Sequence, residues 1–358
     1  MSSACQEKNY GKKMNCYYYD DDGTRCFSKY DASNLNNPKL YYYDHIFDKC
    51  DWKTEPSVTL NKLYAQRAQQ IRDEHDYVVL AYSGGIDSTN VLESFYYNNL
   101  LIDEILIVGA FSRDSSSGVD ENHNGEIYSN VFDTLNRLDL PKTKITVIDY
   151  TKNFDNYTLV HQDDWYKKIG SHFSFHHWFW YDIEKQYESN KKTAIIFGID
   201  KPEVSSIKNK TCFHFVDVCL FQYGIDPAKI SSKLFQTNVK RVNFYWDPNA
   251  SSILIKQAHV INNFFMIAQK RKDIISKNFY DSYFTIVNKL IYNLKNPLRF
   301  ISPKSSSRLI SLRDNYVNTF DDFKDLQIYK NYTQGIMKII PNEKKYTGVI
   351  KSKPYYLN

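Results

Sequence analysis

The sequence contains no run of about 20 consecutive apolar residues, the length that a helix needs to cross a bilayer. Its first residues, Met1–Glu7, are polar and contain no apolar stretch of the signal-peptide kind. Cysteine is sparse, with 6 among 358 residues, which in a chain without a secretion signal indicates reduced thiols and not a disulfide framework. We therefore expect a cytoplasmic protein that does not associate with membranes.

The sequence also lacks the paired Cys-x₂-Cys spacing of structural zinc sites. Its N-terminal cysteines, Cys5, Cys16, Cys26 and Cys50, are separated by about ten residues or more. Four ordinary thiols are favoured over zinc ligands, and the spacing alone leaves zinc open. Glycine is scarce (12) beside 30 tyrosines, and the codon bias of an AT-rich genome is favoured over an aromatic platform for nucleic-acid bases.

Charge is unevenly distributed along the chain. Residues 271–358 hold 16 Lys and Arg against 7 Asp and Glu, a net charge of +9, whereas the whole chain carries +5. A basic tail attracts polyanions such as tRNA or DNA, but basic helix faces are usually only solvated. A small-molecule acceptor is therefore favoured over a nucleic acid, which stays the alternative partner.

Three segments differ in their hydrophobic pattern. Residues 1–56 keep neither a helical nor a strand period and are expected to form an irregular N-terminal extension. Residues 57–250 alternate amphipathic stretches with short apolar runs, which predicts parallel strands joined by helices. Residues 251–358 are predicted to be mainly helical. The predicted fold class is therefore α/β, a doubly wound parallel sheet followed by a helical, basic region.

The predicted strands are four apolar runs, and the clearest helical stretches lie between and after them. The strands are 77–82, 104–109, 145–149 and 193–198, and the helices are 60–73, 89–97, 125–138, 175–189, 253–270, 283–294 and 320–339.

A polar loop, Ser-Gly-Gly-Ile-Asp-Ser at residues 83–88, follows the first predicted strand and precedes a helix. Helix N-termini present unpaired backbone N–H groups and a positive dipole end, and adjacent glycines let the backbone approach an anion closely. The loop is neither a Walker A motif nor a dinucleotide fingerprint. A plain turn would not need serine on both sides and an aspartate, so the loop predicts a phosphate site.

This loop resembles the SGGxDS pyrophosphate loop of the N-type ATP pyrophosphatases, the adenine nucleotide α-hydrolase-like (HUP-like) superfamily. The resemblance implies an enzyme that uses ATP and Mg²⁺, releases pyrophosphate and transfers AMP to an acceptor oxygen, which a nucleophile then attacks. It implies that Asp87 is both catalytic and a Mg²⁺ ligand. The residues that would hold the pyrophosphate are Ser83, Gly84, Gly85, Asp87 and Ser88.

A second element lies at the end of the fourth predicted strand, at residues 197–203. The carboxyl ends of parallel strands are where α/β sheets bind ligands, so Gly198 here and Gly109, at the end of the second strand, are expected beside the nucleotide. Asp200 is expected to share the metal, and Lys201 to neutralise charge on the departing pyrophosphate. A plain surface turn is the alternative interpretation of this element.

Over about residues 58–204 the order of elements is similar to the synthetase domain of asparagine synthetase. The sequence departs from it by lacking a glutaminase domain and by carrying Gly-Ile-Asp-Lys-Pro in place of Gly-x-Gly-Ala-Asp-Glu. Glutamine as nitrogen donor and aspartate as substrate are thus unsupported. Sulfur transfer is disfavoured because no cysteine follows Cys219, and Cys212 and Cys219 lie in an apolar stretch typical of a core.

Two histidine-containing stretches leave alternatives open. His172 and His176 lie one helical turn apart, a spacing compatible with a metal pair, but the surrounding aromatic residues favour packing. Gln257 and His259 are equally compatible with a substrate cleft and with an interdomain helix.

The sequence thus predicts an ATP- and Mg²⁺-dependent adenylating ligase that forms a C–N bond. Its composition and lone synthetase-like domain resemble phage-encoded members of the superfamily. The alternatives are a PP-loop enzyme that modifies tRNA or another nucleic-acid base, and a sensor or scaffold that binds ATP without turnover.

Overall fold

The computed structural model describes residues 16–109, 127–149, 164–167, 178–187, 191–199, 201–208, 210–217, 238–270, 286–292, 327–342, 344–345 and 348–358. Within these ranges no helix is long and apolar enough to span a bilayer.

A five-stranded sheet, parallel throughout, lies at the centre of the fold and confirms the α/β class. Its central strands are mostly apolar, as is typical of a parallel sheet covered on both faces, and every residue of the strand over 193–197 is buried. The edge strand over 144–149 is more exposed. In chain order these strands are β4 (Tyr77–Ala81), β5 (Glu104–Gly109), β6 (Lys144–Asp149), β7 (Thr193–Phe197) and β10 (Val239–Asn243).

The strand order β10-β7-β4-β5-β6 shows that the chain winds outwards from β4 in both directions. The order reverses between β4 and β7, and loops after such neighbouring strands diverge to leave a crevice at the carboxyl edge of the sheet. The loop at residues 83–88 follows β4, and residues 198–201 follow β7. Both predicted elements therefore lie at this switch point.

The helices from residue 60 onwards agree in type with the sequence patterns, with shifted ends, whereas the two short helices before it were not predicted. The helix over 60–74 is capped by Thr59, whose side chain accepts a hydrogen bond from the Lys62 N–H. The helices are α1 (Lys29–Ala32), α2 (Asp44–Phe47), α3 (Leu60–Glu74), α4 (Ile86–Tyr96), α5 (Phe132–Arg137), α6 (Trp178–Lys185), α7 (Ser251–Lys270), α8 (286–291) and α9 (Gln327–Ile339).

Residues 16–56 differ from the irregular extension that the sequence predicts. They contain a three-stranded antiparallel sheet of order β2-β1-β3, made of β1 (Cys16–Tyr19), β2 (Arg25–Cys26) and β3 (Lys39–Tyr42). Tyr18 and Tyr42 are fully buried and belong to the same hydrophobic cluster as the parallel sheet. Strands this short carry too few alternations for a strand period to show in the sequence.

A third sheet joins the C-terminal residues to the middle of the chain. Its order is β11-β9-β8, with β8 (Glu203–Ile207), β9 (Lys210–His214) and β11 (Tyr355–Tyr356) all antiparallel. The tail also forms a bridge between Ser352 and Leu40 of β3. The described C-terminal residues are thus not helical throughout, and the boundaries at 56/57 and 250/251 stay predictions.

Candidate functional site

The loop at residues 83–88 turns sharply between β4 and α4. Gly84 has φ 77°, in the left-handed region that favours glycine, and Gly85 is the N-cap of α4 with no side-chain cap. Asp87 lies in the first turn. Because N–H groups of a first helical turn have no intrahelical acceptor, this end of α4 offers donors and a positive dipole end to an anion.

Hydrogen bonds shape the loop without any ligand. Ser88 is buried and donates from its Oγ to the Gly85 carbonyl at 3.0 Å, while the Gly85 N–H donates to Ser83 Oγ at 3.3 Å. The two serine hydroxyls lie 3.3 Å apart. Asn130 Nδ2 donates to the Gly84 carbonyl at 3.3 Å. The loop is therefore preorganised, with the exposed Ser83 at its open side.

The end of β7 approaches the loop so closely that only glycine fits at residue 198. A Cβ on Gly198 would lie 2.9 Å from the Asp87 carbonyl carbon and 2.9 Å from the Ser88 nitrogen. Lys201 follows, and its Nζ lies 2.7 Å from Asp87 Oδ2, with side-chain exposures of 12% for Lys201 and 23% for Asp87. The structure thus unites two predicted elements that are 114 residues apart in the chain.

Two buried tyrosines complete the surroundings of Asp87. The Tyr292 hydroxyl donates to Asp87 Oδ1 at 2.6 Å, and the Tyr245 hydroxyl donates to the Asp87 carbonyl at 2.9 Å. Asn90 Nδ2 donates in turn to the Tyr245 oxygen at 2.9 Å. Burial raises the pKa of both tyrosines well above its ordinary value, and the nearby Asp87 carboxylate adds to this. Both phenols therefore stay protonated donors at neutral pH.

A second layer holds the tyrosines in place. The Tyr64 hydroxyl donates to the Ile291 carbonyl at 2.8 Å and accepts from Gln257 Nε2 at 3.0 Å. The Tyr64 and Tyr292 rings are 6.3 Å apart. Gln257 is fully buried, and a ring nitrogen of the buried His259 lies 2.9 Å from the Trp52 carbonyl. These contacts favour the interpretation of Gln257 and His259 as residues of an interdomain helix over a substrate cleft.

The structure describes some of the remaining residues that the sequence analysis singled out, and others lie outside the described ranges. Gly109 is buried at the end of β5, one strand away from the loop. Cys212 is fully buried in β9, as expected of a core thiol. Of the N-terminal cysteines, Cys26 is buried, and Cys16 and Cys50 are half-buried. The residues that lie outside the described ranges are Cys5, His172, His176, Asp200 and Cys219.

Four residues of the site had not been singled out from the sequence: Asn90, Asn130, Tyr245 and Tyr292. A signal existed for Tyr245, because it follows β10, whose carboxyl end shares an edge with the loop. For Tyr292 no signal existed among 30 tyrosines.

The described residues around Asp87 include too few metal-binding side chains to hold a metal ion by themselves. They suit a metal ion that arrives bound to phosphates. In the described part of the chain, no three His, Cys, Asp or Glu side chains converge on one point. Mg²⁺ is commonly held by one or two carboxylates, with substrate phosphates and water completing the shell. The carboxylate of Asp87 is the one carboxylate that the described residues of the loop supply for such a metal.

Comparison with known proteins adds no assignment: no protein-family model matches the chain, and no curated protein matches it.

Proposed function

We propose that the protein binds ATP with Mg²⁺ at residues 83–88 and cleaves it between the α and β phosphates. AMP would pass to an acceptor oxygen, and a nitrogen nucleophile would then displace it, as in amide ligases of the asparagine-synthetase kind. The observation that carries the proposal is the meeting of the β4 loop and Lys201 at the sheet's switch point. It supports the resemblance to the N-type ATP pyrophosphatases, which the SGGIDS sequence first indicated.

The described residues of the site have three different roles in the proposed reaction. The first-turn N–H groups of α4, that of Ser88 included, and the hydroxyl of the exposed Ser83 offer donors to the pyrophosphate oxygens. Lys201 offers a positive charge where negative charge grows on the leaving group. Asp87 would hold the metal, which when bound neutralises phosphate charge and orients the α-phosphate.

The acceptor is expected at the carboxyl edge of the sheet, where α/β folds bind their ligands. Asp200 belongs to the proposal as a second metal ligand beside Asp87. A HUP-like fold, C–N ligase chemistry, a cytoplasmic location and a phage origin belong to the same proposal.

The test is product analysis with labelled ATP, Mg²⁺ and a pool of candidate acceptors. AMP and pyrophosphate are the expected products, whereas ADP and phosphate alone would contradict the proposal. Asp87→Asn should abolish release because a neutral amide keeps the shape but loses the hard anionic ligand. Asp73→Asn, at an exposed position in the last turn of α3, is the matched control and should retain full release. ATP binding without any cleavage would favour the sensor alternative.

One observation favours a second candidate, a nucleic-acid acceptor. A cleft of about 510 Å³ lies between the N-terminal segment and the tail and is lined by Lys39, Lys344, Lys345 and Lys351, among others. Lys39 of this cleft is paired with Asp21, and the tail's Lys353 Nζ lies 2.7 Å from Asp48 Oδ2. The cationic cleft is therefore confined, which keeps the small acceptor favoured.

Salt dependence separates the two acceptors. If tRNA or DNA is the partner, contacts from residues such as Lys344, Lys345 and Lys351 should make log Kd change with log salt by about 0.7 to 0.9 per phosphate neutralised. Lys338, whose Nζ lies 5.2 Å from the Tyr166 ring centroid, and the paired Lys353 should contribute less. Salt-sensitive tRNA binding that disappears when Lys344, Lys345 and Lys351 are replaced by Met would reverse the preference for a small acceptor.

A further inference from the structure

Both side-chain oxygens of Asp87 already have partners, and the two partners differ in kind. Oδ1 accepts from the Tyr292 hydroxyl at 2.6 Å, and Oδ2 lies 2.7 Å from Lys201 Nζ. We propose that Lys201 is an exchangeable counter-ion that occupies Asp87 Oδ2 until nucleotide and metal arrive, whereas Tyr292 is a permanent positioning residue on Oδ1. The inference rests on the proposed function for the identity of the incoming ligand.

The Tyr292 contact is built to persist. Tyr292 is 4% exposed, and its ring centroid lies 5.6 Å from that of Tyr245 and 6.3 Å from that of Tyr64. The backbone beside it is tied down as well, since the Ile291 carbonyl accepts from the Tyr64 hydroxyl. A donor held by so many contacts cannot leave without repacking the three rings.

The Lys201 contact is built differently. Its side chain is 12% exposed and its partner carboxylate 23% exposed, so the pair is only partly shielded from solvent. The ammonium ends a flexible four-carbon stem that swings without moving the backbone. A partly solvated ion pair is also weaker than a buried one, so a divalent cation competes with it for the same oxygen.

The consequence is that one lysine serves two states of the site. Without nucleotide, Lys201 neutralises Asp87, whose carboxylate would otherwise face only donors of partial charge. With nucleotide, Lys201 gives up Oδ2 and turns to the phosphates that the first turn of α4 would hold. Tyr292 keeps the carboxylate oriented throughout, so Asp87 presents a single oxygen to a metal.

The two states predict opposite effects of removing the lysine. In the nucleotide-free protein, Lys201→Met should strengthen Mn²⁺ binding about tenfold, because a competing cation is gone. In the presence of α,β-methylene-ATP, which is not cleaved at that bond, the same variant should bind the metal–nucleotide complex about tenfold more weakly, because a phosphate partner is gone. Free Mn²⁺ is measured by electron paramagnetic resonance, and nucleotide binding by calorimetry.

Matched variants exclude indirect causes. Lys256→Met removes a comparable lysine, paired with Glu55 at 2.6 Å and 16% exposed, and should change neither measurement. Lys201→Gln repeats the test with a polar side chain in case the methionine variant folds poorly. Asp87→Asn added to Lys201→Met should cancel the gain in Mn²⁺ affinity, which places that gain on Asp87.

An unchanged or weaker Mn²⁺ affinity of nucleotide-free Lys201→Met would overturn the exchange. So would a gain that survives Asp87→Asn. The proposed function fails separately: if no AMP and pyrophosphate appear, yet the lysine variant still gains Mn²⁺ affinity through Asp87, the exchange stands and the reaction does not.

Discussion

Two lysine–aspartate pairs in this protein have the same chemistry and opposite surroundings. Lys29 and Asp217 are 2% and 3% exposed, whereas Lys201 and Asp87 are 12% and 23% exposed. Each aspartate also has a tyrosine hydroxyl nearby: Tyr18 at 3.4 Å from Asp217 Oδ2, and Tyr292 at 2.6 Å from Asp87 Oδ1.

Burial gives the two pairs different roles. Desolvation lowers the pKa of Lys29 and raises that of Asp217, so each charge depends on the other. Lys29 Nζ also donates to the Gly348 carbonyl at 2.5 Å, which joins the N-terminal segment to the tail. The sealed pair, Lys29 and Asp217, is therefore a structural connection, while the open pair, Lys201 and Asp87, lies at the site that the proposed function uses. Access of water, and not residue type, distinguishes them.

The largest expected effect comes from breaking the sealed pair. Lys29→Met leaves Asp217 buried without its cation and should lower the free energy of unfolding by about 3–5 kcal/mol. Lys201→Met should lower it by only about 1 kcal/mol or less, because the open pair is partly solvated. Urea unfolding curves of both variants measure the difference.

A double variant controls for lost packing. Adding Asp217→Asn to Lys29→Met should restore part of the stability, because a neutral amide costs less to bury alone than a carboxylate. Equal losses from Lys29→Met and Lys201→Met would show that burial does not separate the two pairs.

The sequence was sufficient for the parts of the site that local pattern specifies. Continuous apolar runs predicted β4, β5, β6 and β7, and the glycines and serines of residues 83–88 predicted the loop. Lys201 could be placed because strand ends meet at one edge of a parallel sheet. Tyr292 could not, because its contact with Asp87 spans 205 residues and depends on how α8 packs. The sealed pair, spanning 188 residues, was missed for the same reason.

The next largest effect tests whether the site depends on the close approach of the β7 end to the loop, apart from the pairing of Lys201 with Asp87. Gly198→Ala places a Cβ 2.9 Å from the backbone of Asp87 and Ser88, so the loop or β7 must shift. We expect a loss of about 1–3 kcal/mol of stability and weaker ATP binding, although no charged group has changed. Thermal unfolding and calorimetry with ATP measure both effects.

Gly335→Ala is the matched steric control. Gly335 lies in α9 and not in the loop at residues 83–88. A Cβ on Gly335 would lie 2.5 Å from the Trp165 ring. It should cost comparable stability and leave ATP affinity unchanged. Full ATP affinity in the Gly198 variant would mean that the open pair forms independently of the close approach of β7.

The smallest expected effect tests whether Tyr292 shields Asp87 from water. The pKa of Tyr292 is raised in the folded protein by burial and then by Asp87, while unfolded tyrosine ionises near pH 10. Above about pH 10 the unfolded chain therefore releases a proton that the folded chain keeps, so this group's contribution to stability is complete below pH 10 and is lost as pH rises. Tyr292→Phe should make the alkaline fall of the unfolding free energy shallower by about 1.4 kcal/mol per pH unit. An unchanged slope in the Tyr292 variant would mean that this phenol ionises in the folded protein, and that Asp87 is open to water on both sides and not only beside Lys201.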